Sequence, residues 1–220
     1  MSHPTYNRLE DVVLDELFPE VDQALREGVH VDQETMQWYG FLEDALEFLE
    51  PLYERYGLVL TRAADGYFFL VPLRETTGRQ RLSIAEMLVG QALALMLLDP
   101  STVQAGGSVK KAQLVELLVS LVGEERLLQA LNPRRSRRDE RVEQELARKE
   151  VDRALRTLNK LGFIDVVDPE NLRLRAALLR FAEAVRATDE PARALERMIG
   201  RGEADVDQDH DEHEPEEDES

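Results

Sequence analysis

The sequence has no cysteine and only four histidines among its 220 residues. Without cysteine, disulfide cross-links, cysteine-ligated zinc and thiol catalysis are excluded. His210 and His213 lie in an acidic C-terminal run, which leaves His3 and His30 as the histidines available for acid–base chemistry. No glycine-rich loop has the spacing of a phosphate-binding P-loop. We therefore predict a protein that is not an enzyme and that has neither a cofactor nor a metal site.

Long apolar runs are also scarce. The most apolar stretch, Ile84–Leu98, is shorter than a membrane span and contains Glu86 and Gln91. The first 16 residues are polar and acidic, without the apolar core of a signal peptide. We expect this N-terminus to be flexible, and the whole chain to be cytoplasmic with no membrane segment.

Basic residues are fewer than acidic ones, 27 against 45, and the net charge is −18. Eleven of the acidic residues lie in 203–220, a run without lysine or arginine. Removing that run leaves 34 acidic against 27 basic residues, a net charge of −7. The run is expected to be disordered because its charges repel and little apolar surface is available for burial. Its ordinary interpretation is a solubility device, and the alternative is that it competes with DNA for a basic surface elsewhere on the chain.

The first folded segment is predicted over residues 17–80. A short helix from Leu17 to Arg26 is followed by Gly28, and Asp32 offers an N-cap to the segment that begins at Gln33. An amphipathic helix is predicted from Phe41 to Tyr56, with Pro51 expected to kink or split it. Two β-rich runs then flank Asp65-Gly66, a strong signal for a hairpin.

A second segment with a similar plan is predicted over residues 81–187. Ser83 and Glu86 resemble a capping box for a helix over 84–98, and a loop is expected over 101–107. Helices are predicted over 112–122, 125–131 and 140–161, followed by a hairpin with a turn at 168–171. Two terminal helices are predicted, over 176–186 and within 188–202. Helices that precede a β-hairpin are typical of a winged helix. The predicted fold class is mainly α with small β-hairpin wings, an α+β chain of tandem winged-helix domains.

The helix over 140–161 has two opposed faces. Ala147, Val151, Ala154, Leu158 and Leu161 form one apolar stripe, whereas Lys149, Arg153, Arg156 and Lys160 recur at steps of four, three and four residues. At about 100° per residue, these basic positions fall within roughly 60° and nearly opposite the apolar stripe. The third helix of a winged helix commonly contacts DNA, so this face is a candidate for DNA binding.

Other basic residues extend this candidate surface. An arginine-rich loop precedes the helix, and two arginines lie in the second hairpin. The full predicted set is Arg134, Arg135, Arg137, Arg138, Lys149, Arg153, Arg156, Lys160, Arg173 and Arg175. Binding through such residues is expected to be sequence-independent and sensitive to salt. The alternative is a solvated helix face, because Glu145 and Asp152 lie four residues before Lys149 and Arg156 and could neutralise them locally.

The strand of the first hairpin is apolar on both faces. A two-stranded wing cannot bury both faces by itself. We therefore expect Tyr67, Phe68, Phe69 and Val71 to include a surface that meets another protomer or a partner protein.

Several short runs, taken in order, resemble the MukE family. They are Leu17-Phe18-Pro19 with Asp22, Ala24-Leu25-Arg26, Gly28 and His30; Phe41-Leu42; Tyr53 with Arg55-Tyr56; Gly66 to Leu70 with Pro72; Met87 to Gly90; and Leu158 with Leu161-Gly162. The resemblance covers roughly residues 15–200. The arginine-rich loop and Pro51 depart from the family pattern, which leaves open a divergent relative that acts on plasmids.

The resemblance implies a partner set as well as a fold. Members of this family are accessory subunits of MukBEF-type bacterial condensin (SMC) complexes. The resemblance therefore implies a nucleoid-associated homodimer that binds the kleisin MukF, and through it the ATPase MukB, in chromosome condensation and segregation. The alternative from a different class is a free-standing winged-helix transcriptional regulator, for which no base-reading constellation stands out.

Overall fold

A computed structural model describes residues 6–73, 82–123 and 140–186, together with residues 125, 127 and 131. We call residues 6–73 the first module and residues 82–186 the second module. In both, helices pack against a small antiparallel sheet of three strands. The chain is thus mainly α with small β-hairpin wings, as the sequence predicts.

The first module is built around a long central helix. Its elements are α1 Leu9–Val13, α2 Phe18–Arg26, β1 Val31–Asp32, α3 Met36–Arg55, β2 Leu58–Arg62 and β3 Tyr67–Pro72. The Asp65-Gly66 turn forms as predicted, with Gly66 at φ +83° between β2 and β3. Strand β1 pairs with the other edge of β3, so the sheet order is β1-β3-β2.

The N-terminal part of the first module differs from the expectation of a flexible 1–16 segment. Residues 9–13 form α1, in which Val12 is fully buried. The Tyr6 ring packs edge-on against Phe41, and its hydroxyl donates to an Asp15 carboxylate oxygen at 2.8 Å. These apolar contacts place residues 6–15 on the core of the first module; residues 1–5 lie outside the described part of the chain.

The central helix also differs from its prediction. It begins at Met36 rather than Phe41, and it continues through Pro51 without being split. Proline removes one backbone donor, which leaves the carbonyl of residue 47 without its usual partner. Both Glu47 and Pro51 are exposed, so water can solvate that carbonyl.

The second module has a fuller set of helices. Its elements are α4 Ile84–Leu98, α5 Pro100–Gln104, β4 Ser108–Lys110, α6 Lys111–Val122, α7 Glu140–Lys160, β5 Ile164–Val166, β6 Asn171–Leu174, a 3₁₀ turn Ala176–Leu178 and α8 Leu179–Arg186. The predicted capping box starts α4, since the Ser83 and Glu86 side chains each accept a hydrogen bond from the other residue's backbone N–H. The loop expected over 101–107 instead begins with α5, because the Asp99 side chain caps it.

The core of the second module surrounds α4. This apolar helix packs against α6, α7 and α8. Gly90 permits a close approach to α8, because a Cβ there would lie 2.6 Å from the Phe181 ring. None of the helices in the described ranges is long and apolar enough to cross a membrane.

Candidate nucleic-acid and partner interfaces

Helix α7 carries the predicted basic face into solvent. Lys149, Arg153, Arg156 and Lys160 are all exposed. On the opposite side, Val151, Ala154, Leu158 and Leu161 are buried, while Ala147 packs at the core's margin. Burial of the apolar stripe against α4 therefore forces the four cations outward, so that they form one continuous row, the α7 basic row.

The four cations of this row differ in their local partners. Lys149 pairs with Glu145 at 3.0 Å and Lys160 with Glu27 at 3.4 Å. No carboxylate in the described part of the chain forms an ion pair with Arg153 or Arg156. The sequence offered Asp152 as a partner of Arg156, but Asp152 pairs with Lys111 of α6 instead. The central two arginines thus have the least neutralised charge, which favours binding of an external anion such as phosphate.

The two wing arginines have a different environment. One guanidinium nitrogen of Arg173, Nη2, contacts both oxygens of the Glu34 carboxylate, at 2.9 and 3.0 Å. Arg175 is mostly buried and contacts Asp165 at 2.9 Å and Asp32 at 3.5 Å. Because Asp32 and Glu34 belong to the first module, these arginines hold the two modules together. Both wing arginines thus already have carboxylate partners at the contact between the modules.

Asp32 makes a capping contact with the segment that begins at Gln33, as predicted, although α3 itself begins at Met36. Its side chain is 3% exposed, and its Oδ1 accepts the Glu34 backbone N–H at 3.1 Å. Burial raises the pKa of this carboxyl, while the charge of Arg175 acts in the opposite direction. Asp32 is thus a buried partner for the second module.

The tip of the second hairpin is acidic rather than basic. Asp168 accepts hydrogen bonds from the Asn171 side chain and from the backbone N–H groups of Glu170 and Asn171, which lower the pKa of its carboxyl. A fixed negative charge at this tip opposes close approach to a phosphate backbone. The predicted cations Arg134, Arg135, Arg137 and Arg138 lie outside the described residues.

The aromatic strand β3 is covered largely by the chain itself. Phe68 is fully buried in the core of the first module, and Tyr67, 2% exposed, belongs to the core of the second. The strand does have two apolar faces, as predicted, but the two modules of one chain cover much of both. Tyr67 and Phe68 are therefore core residues rather than surface for a partner, whereas Phe69 and Val71 are only half-buried.

His30 lies at the centre of the contact between the modules. Its backbone N–H donates to the Leu161 carbonyl at 2.9 Å, and its ring lies 4.3 Å from that of Phe163 and 5.4 Å from that of Phe69. Gly162 makes this approach possible, since a Cβ there would lie 2.4 Å from the His30 carbonyl oxygen.

The His30 imidazole is neutral in this position. Its Nδ1 lies 3.2 Å from the Leu161 carbonyl oxygen, and its Nε2 lies 2.7 Å from an Arg180 guanidinium nitrogen. Since a carbonyl only accepts and a guanidinium only donates, Nδ1 carries the proton and Nε2 accepts. Burial, with the nearby Arg180 charge, lowers the pKa of His30 to about 3. His30 therefore has a structural role.

A cleft of about 670 Å³ opens beside this contact. Both modules line it, and its walls are mainly apolar. The lining residues are Leu25, Arg26, Gly28, His30, Leu58, Leu70, Val71, Pro72, Leu82, Met87, Gln91, Leu161, Phe163, Arg180 and Phe181. Sequence reasoning did not find this cleft, because its walls come from five separate elements and the loops between them, with no shared spacing.

The described residues contain no group of three or more histidine or acidic side chains that could hold a metal ion. His210 and His213, which the sequence placed in the acidic run, lie outside the described part of the chain. The geometry thus consists of a cationic helix face and an apolar cleft, both suited to binding.

The chain is similar to known proteins over most of its length. Residues 6–220 match the model of the MukE-like family. Proteins named chromosome partition protein MukE are similar along most of their length. The one from Escherichia coli (strain K12) is 34% identical over 90% of this chain and 85% of its own. Those from Histophilus somni (strain 2336) and Actinobacillus succinogenes (strain ATCC 55618 / DSM 22257 / CCUG 43843 / 130Z) are 36% and 37% identical, each over 90% of this chain and 81% of their own.

Proposed function

This chain belongs to the MukE-like family, and from that premise we propose that it is a non-enzymatic accessory subunit of a bacterial MukBEF-type condensin complex. In this proposal the chain acts in the cytoplasm at the nucleoid, in chromosome partition and condensation. It binds the kleisin MukF as a homodimer and reaches the ATPase MukB through that kleisin. It also contributes a sequence-independent contact to double-stranded DNA.

The α7 basic row carries the DNA part of the proposal. It lies on the helix that enters or flanks a groove in DNA-binding winged helices. Its central arginines, Arg153 and Arg156, are exposed and free of ion pairs with the described carboxylates. Guanidinium groups in this state bind phosphate oxygens with charge-assisted hydrogen bonds. The row consists of lysine and arginine and contains no asparagine or glutamine side chain. We therefore expect contact with phosphates rather than readout of the base sequence.

Exposed apolar surface supports the partner-binding part. Leu14 is 82% exposed and Met36 is 79% exposed, both on the first module. Val71, from the predicted partner surface, lines the inter-module cleft. Contact with a partner protein would cover this apolar surface. Co-purification with MukF and a dimeric mass in solution would support this part; a monomer indifferent to MukF would remove it.

A matched pair of charge reversals tests the DNA contact. Arg153→Glu/Arg156→Glu removes two uncompensated cations, whereas Arg8→Glu/Arg55→Glu makes the same change in net charge on exposed residues of the first module. With a random-sequence duplex, the first variant should bind at least about tenfold more weakly at low salt. Its slope of log affinity against log salt should also fall by about 2, since each phosphate contact contributes about 0.9.

The control variant should retain most of the affinity. Equal losses in the two variants would mean that only the total charge matters, and unchanged binding by Arg153→Glu/Arg156→Glu would show that the row is merely solvated. Circular dichroism and thermal melting of both variants would verify that each remains folded.

A further inference from the structure

The acidic run 203–220 and the α7 basic row carry opposite charges within one chain. The run has eleven carboxylates and neither lysine nor arginine. The row presents four exposed cations, and the two at its centre, Arg153 and Arg156, form no ion pair with a carboxylate of the described residues. Because opposite charges attract, the row has a candidate anion in its own chain as well as in DNA.

The spacing of the carboxylates matches that of the cations. Acidic residues occupy every second position of the run at 205, 207, 209 and 211, and again at 212, 214, 216 and 218. In an extended chain, such positions point to one side at steps of about 6.6 Å. Along α7 the cations recur at steps of four, three and four residues, which correspond to about 6.0, 4.5 and 6.0 Å of helix rise. A run laid along the row in extended form would thus bring successive carboxylates near successive cations.

The chain between the second module and the run is long enough for this contact. Helix α8 ends at Arg186, and α7 and α8 both pack against α4. The sixteen residues 187–202 lead from there to the run, and they span up to about 53 Å when extended or about 24 Å as a helix. Both lengths are comparable with the size of the module, since about 100 residues have a radius of gyration of about 13 Å. The run can therefore reach α7 while α8 stays in place.

The tether favours the chain's own run over the run of a second copy. A single exposed ion pair contributes only about 0–1 kcal/mol, so two separate molecules held by such pairs associate weakly. A short tether raises the effective concentration to about the millimolar range, which favours contact within one chain. Duplex DNA carries one negative charge per about 1.7 Å of its axis, a denser array than one carboxylate per two residues. DNA held close to the row therefore displaces the run.

We propose that the acidic run 203–220 lies along the α7 basic row in the absence of DNA and competes with duplex DNA for Arg153 and Arg156. This inference rests on the proposed DNA contact and adds its regulation. Since phosphates must displace the run, the row binds DNA strongly only where DNA is already concentrated beside it. A run that served solubility alone would leave both measurements described below unchanged.

A paramagnetic label tests the contact without DNA. The chain has no cysteine, so His210→Cys provides a single site for a nitroxide within the run. In NMR spectra of the full-length protein, the label should broaden the amide signals of Arg153 and Arg156 more than those of Glu47 and Glu50 on α3. Added salt should reverse the broadening, because it screens ion pairs at the surface. No broadening on α7, or equal broadening on the two helices, would overturn the contact.

A mixed sample distinguishes contact within one chain from contact between two. It combines nitroxide-labelled His210→Cys at natural isotope abundance with isotope-labelled protein that carries no nitroxide. We expect little broadening on α7 in this sample, since the tether favours the chain's own run. Broadening as strong as in the single labelled chain would mean that a second copy supplies the run, and it would overturn the contact within the chain.

A matched pair of neutralisations tests the competition with DNA. One variant neutralises four carboxylates of the run, and its control neutralises the four exposed glutamates of α3, so both change the net charge equally. They are Asp205→Asn/Asp207→Asn/Asp209→Asn/Asp211→Asn and Glu43→Gln/Glu47→Gln/Glu50→Gln/Glu54→Gln. With a random-sequence duplex at low salt, the first should bind at least about threefold more tightly, because less of the row is occupied. The second should change the affinity by less than about twofold. Equal gains would mean that only the total charge matters.

The gain should also depend on the row itself. In the Arg153→Glu/Arg156→Glu background, the four aspartate substitutions should change the affinity by less than about 1.5-fold, because the run has lost its site. An undiminished gain there would mean that the run repels DNA without binding α7, and it would overturn the proposal. If the unmodified chain and the neutralised variant both fail to bind the duplex, the proposed DNA contact itself fails. The nitroxide measurement would still decide whether the run contacts α7.

Discussion

The two modules have the same sheet but opposite charge on their long helices. In each, the strand before the hairpin pairs with the second hairpin strand, giving the orders β1-β3-β2 and β4-β6-β5. Helix α3 exposes Glu43, Glu47, Glu50 and Glu54, at steps of four, three and four residues. Helix α7 exposes lysine and arginine at the same steps. One helical period thus produces an acidic face on one module and a cationic face on the other.

The hairpins differ in the same way. The first contributes Tyr67 and Phe68 to the two cores, so it serves mainly to join the modules. The second buries Leu172 and Leu174 in its own module and turns Arg173 and Arg175 toward the first. Apolar contact from one side and ionic contact from the other therefore fix the arrangement. A winged helix can use its wing for packing as readily as for DNA.

The largest expected effect is at the closest backbone approach between the modules. Gly162→Ala should destabilise the protein by about 4 kcal/mol, because it combines a strained positive φ with a clash against the His30 carbonyl. Gly57→Ala is the matched control, with φ +73° and no atom within 4 Å of its Cβ. It should cost only about 1–2 kcal/mol. Urea unfolding measures both; similar losses would show that the modules do not press together at Gly162.

The wing arginines provide the next comparison. Arg175→Met should cost about 3 kcal/mol, because it leaves the buried Asp32 carboxylate without its cation. Arg173→Met should cost less than about 1 kcal/mol, since the Arg173–Glu34 pair is half exposed. The same unfolding measurement distinguishes them, and equal values would contradict a buried ionic contact at Arg175.

The junction should also respond to pH through His30. Its pKa falls from 6.5 in the unfolded chain to about 3 in the folded one, so the unfolded state binds more protons between these values. The contribution of His30 to the free energy of unfolding is therefore complete above about pH 6.5, and it is lost as the pH falls toward 3. Between pH 7 and pH 5 the loss should be about 2 kcal/mol. His30→Gln should show a correspondingly flatter pH profile of unfolding, and parallel profiles would rule the effect out.

The smallest expected effect concerns the acidic face of α3 compared with the α7 basic row. Glu47→Gln/Glu50→Gln on α3 should change the affinity for duplex DNA by less than about twofold. Salt screens the interaction between exposed charges that lie more than a Debye length apart, so these carboxylates have little effect on DNA bound at a distant site. Arg153→Gln/Arg156→Gln on α7 should lower it by about tenfold. Filter binding or fluorescence anisotropy at fixed salt compares them; comparable changes would mean that DNA does not distinguish the modules.

Local sequence predicted most of the elements. The stripe of α7, the capping box at Ser83 and the turn at Asp65-Gly66 all form as expected, since each depends on residues within a few positions of one another. The continuous α3 was missed at Pro51, because solvent exposure of the freed carbonyl is a property of the packed module. The α1 segment was missed because five residues give too little periodicity to recognise.

The amino-acid order alone reveals the charge and apolar pattern of each helix and strand, and with it the fold class and the family resemblance. The packing of the two modules controls which of these surfaces remain free. Arg173 and Arg175 are arginines like Arg153 and Arg156, yet Glu34 and Asp32, about 140 residues away in the sequence, form ion pairs with the first two. Coulomb interaction depends on distance in space, and the packing of one module on the other sets those distances.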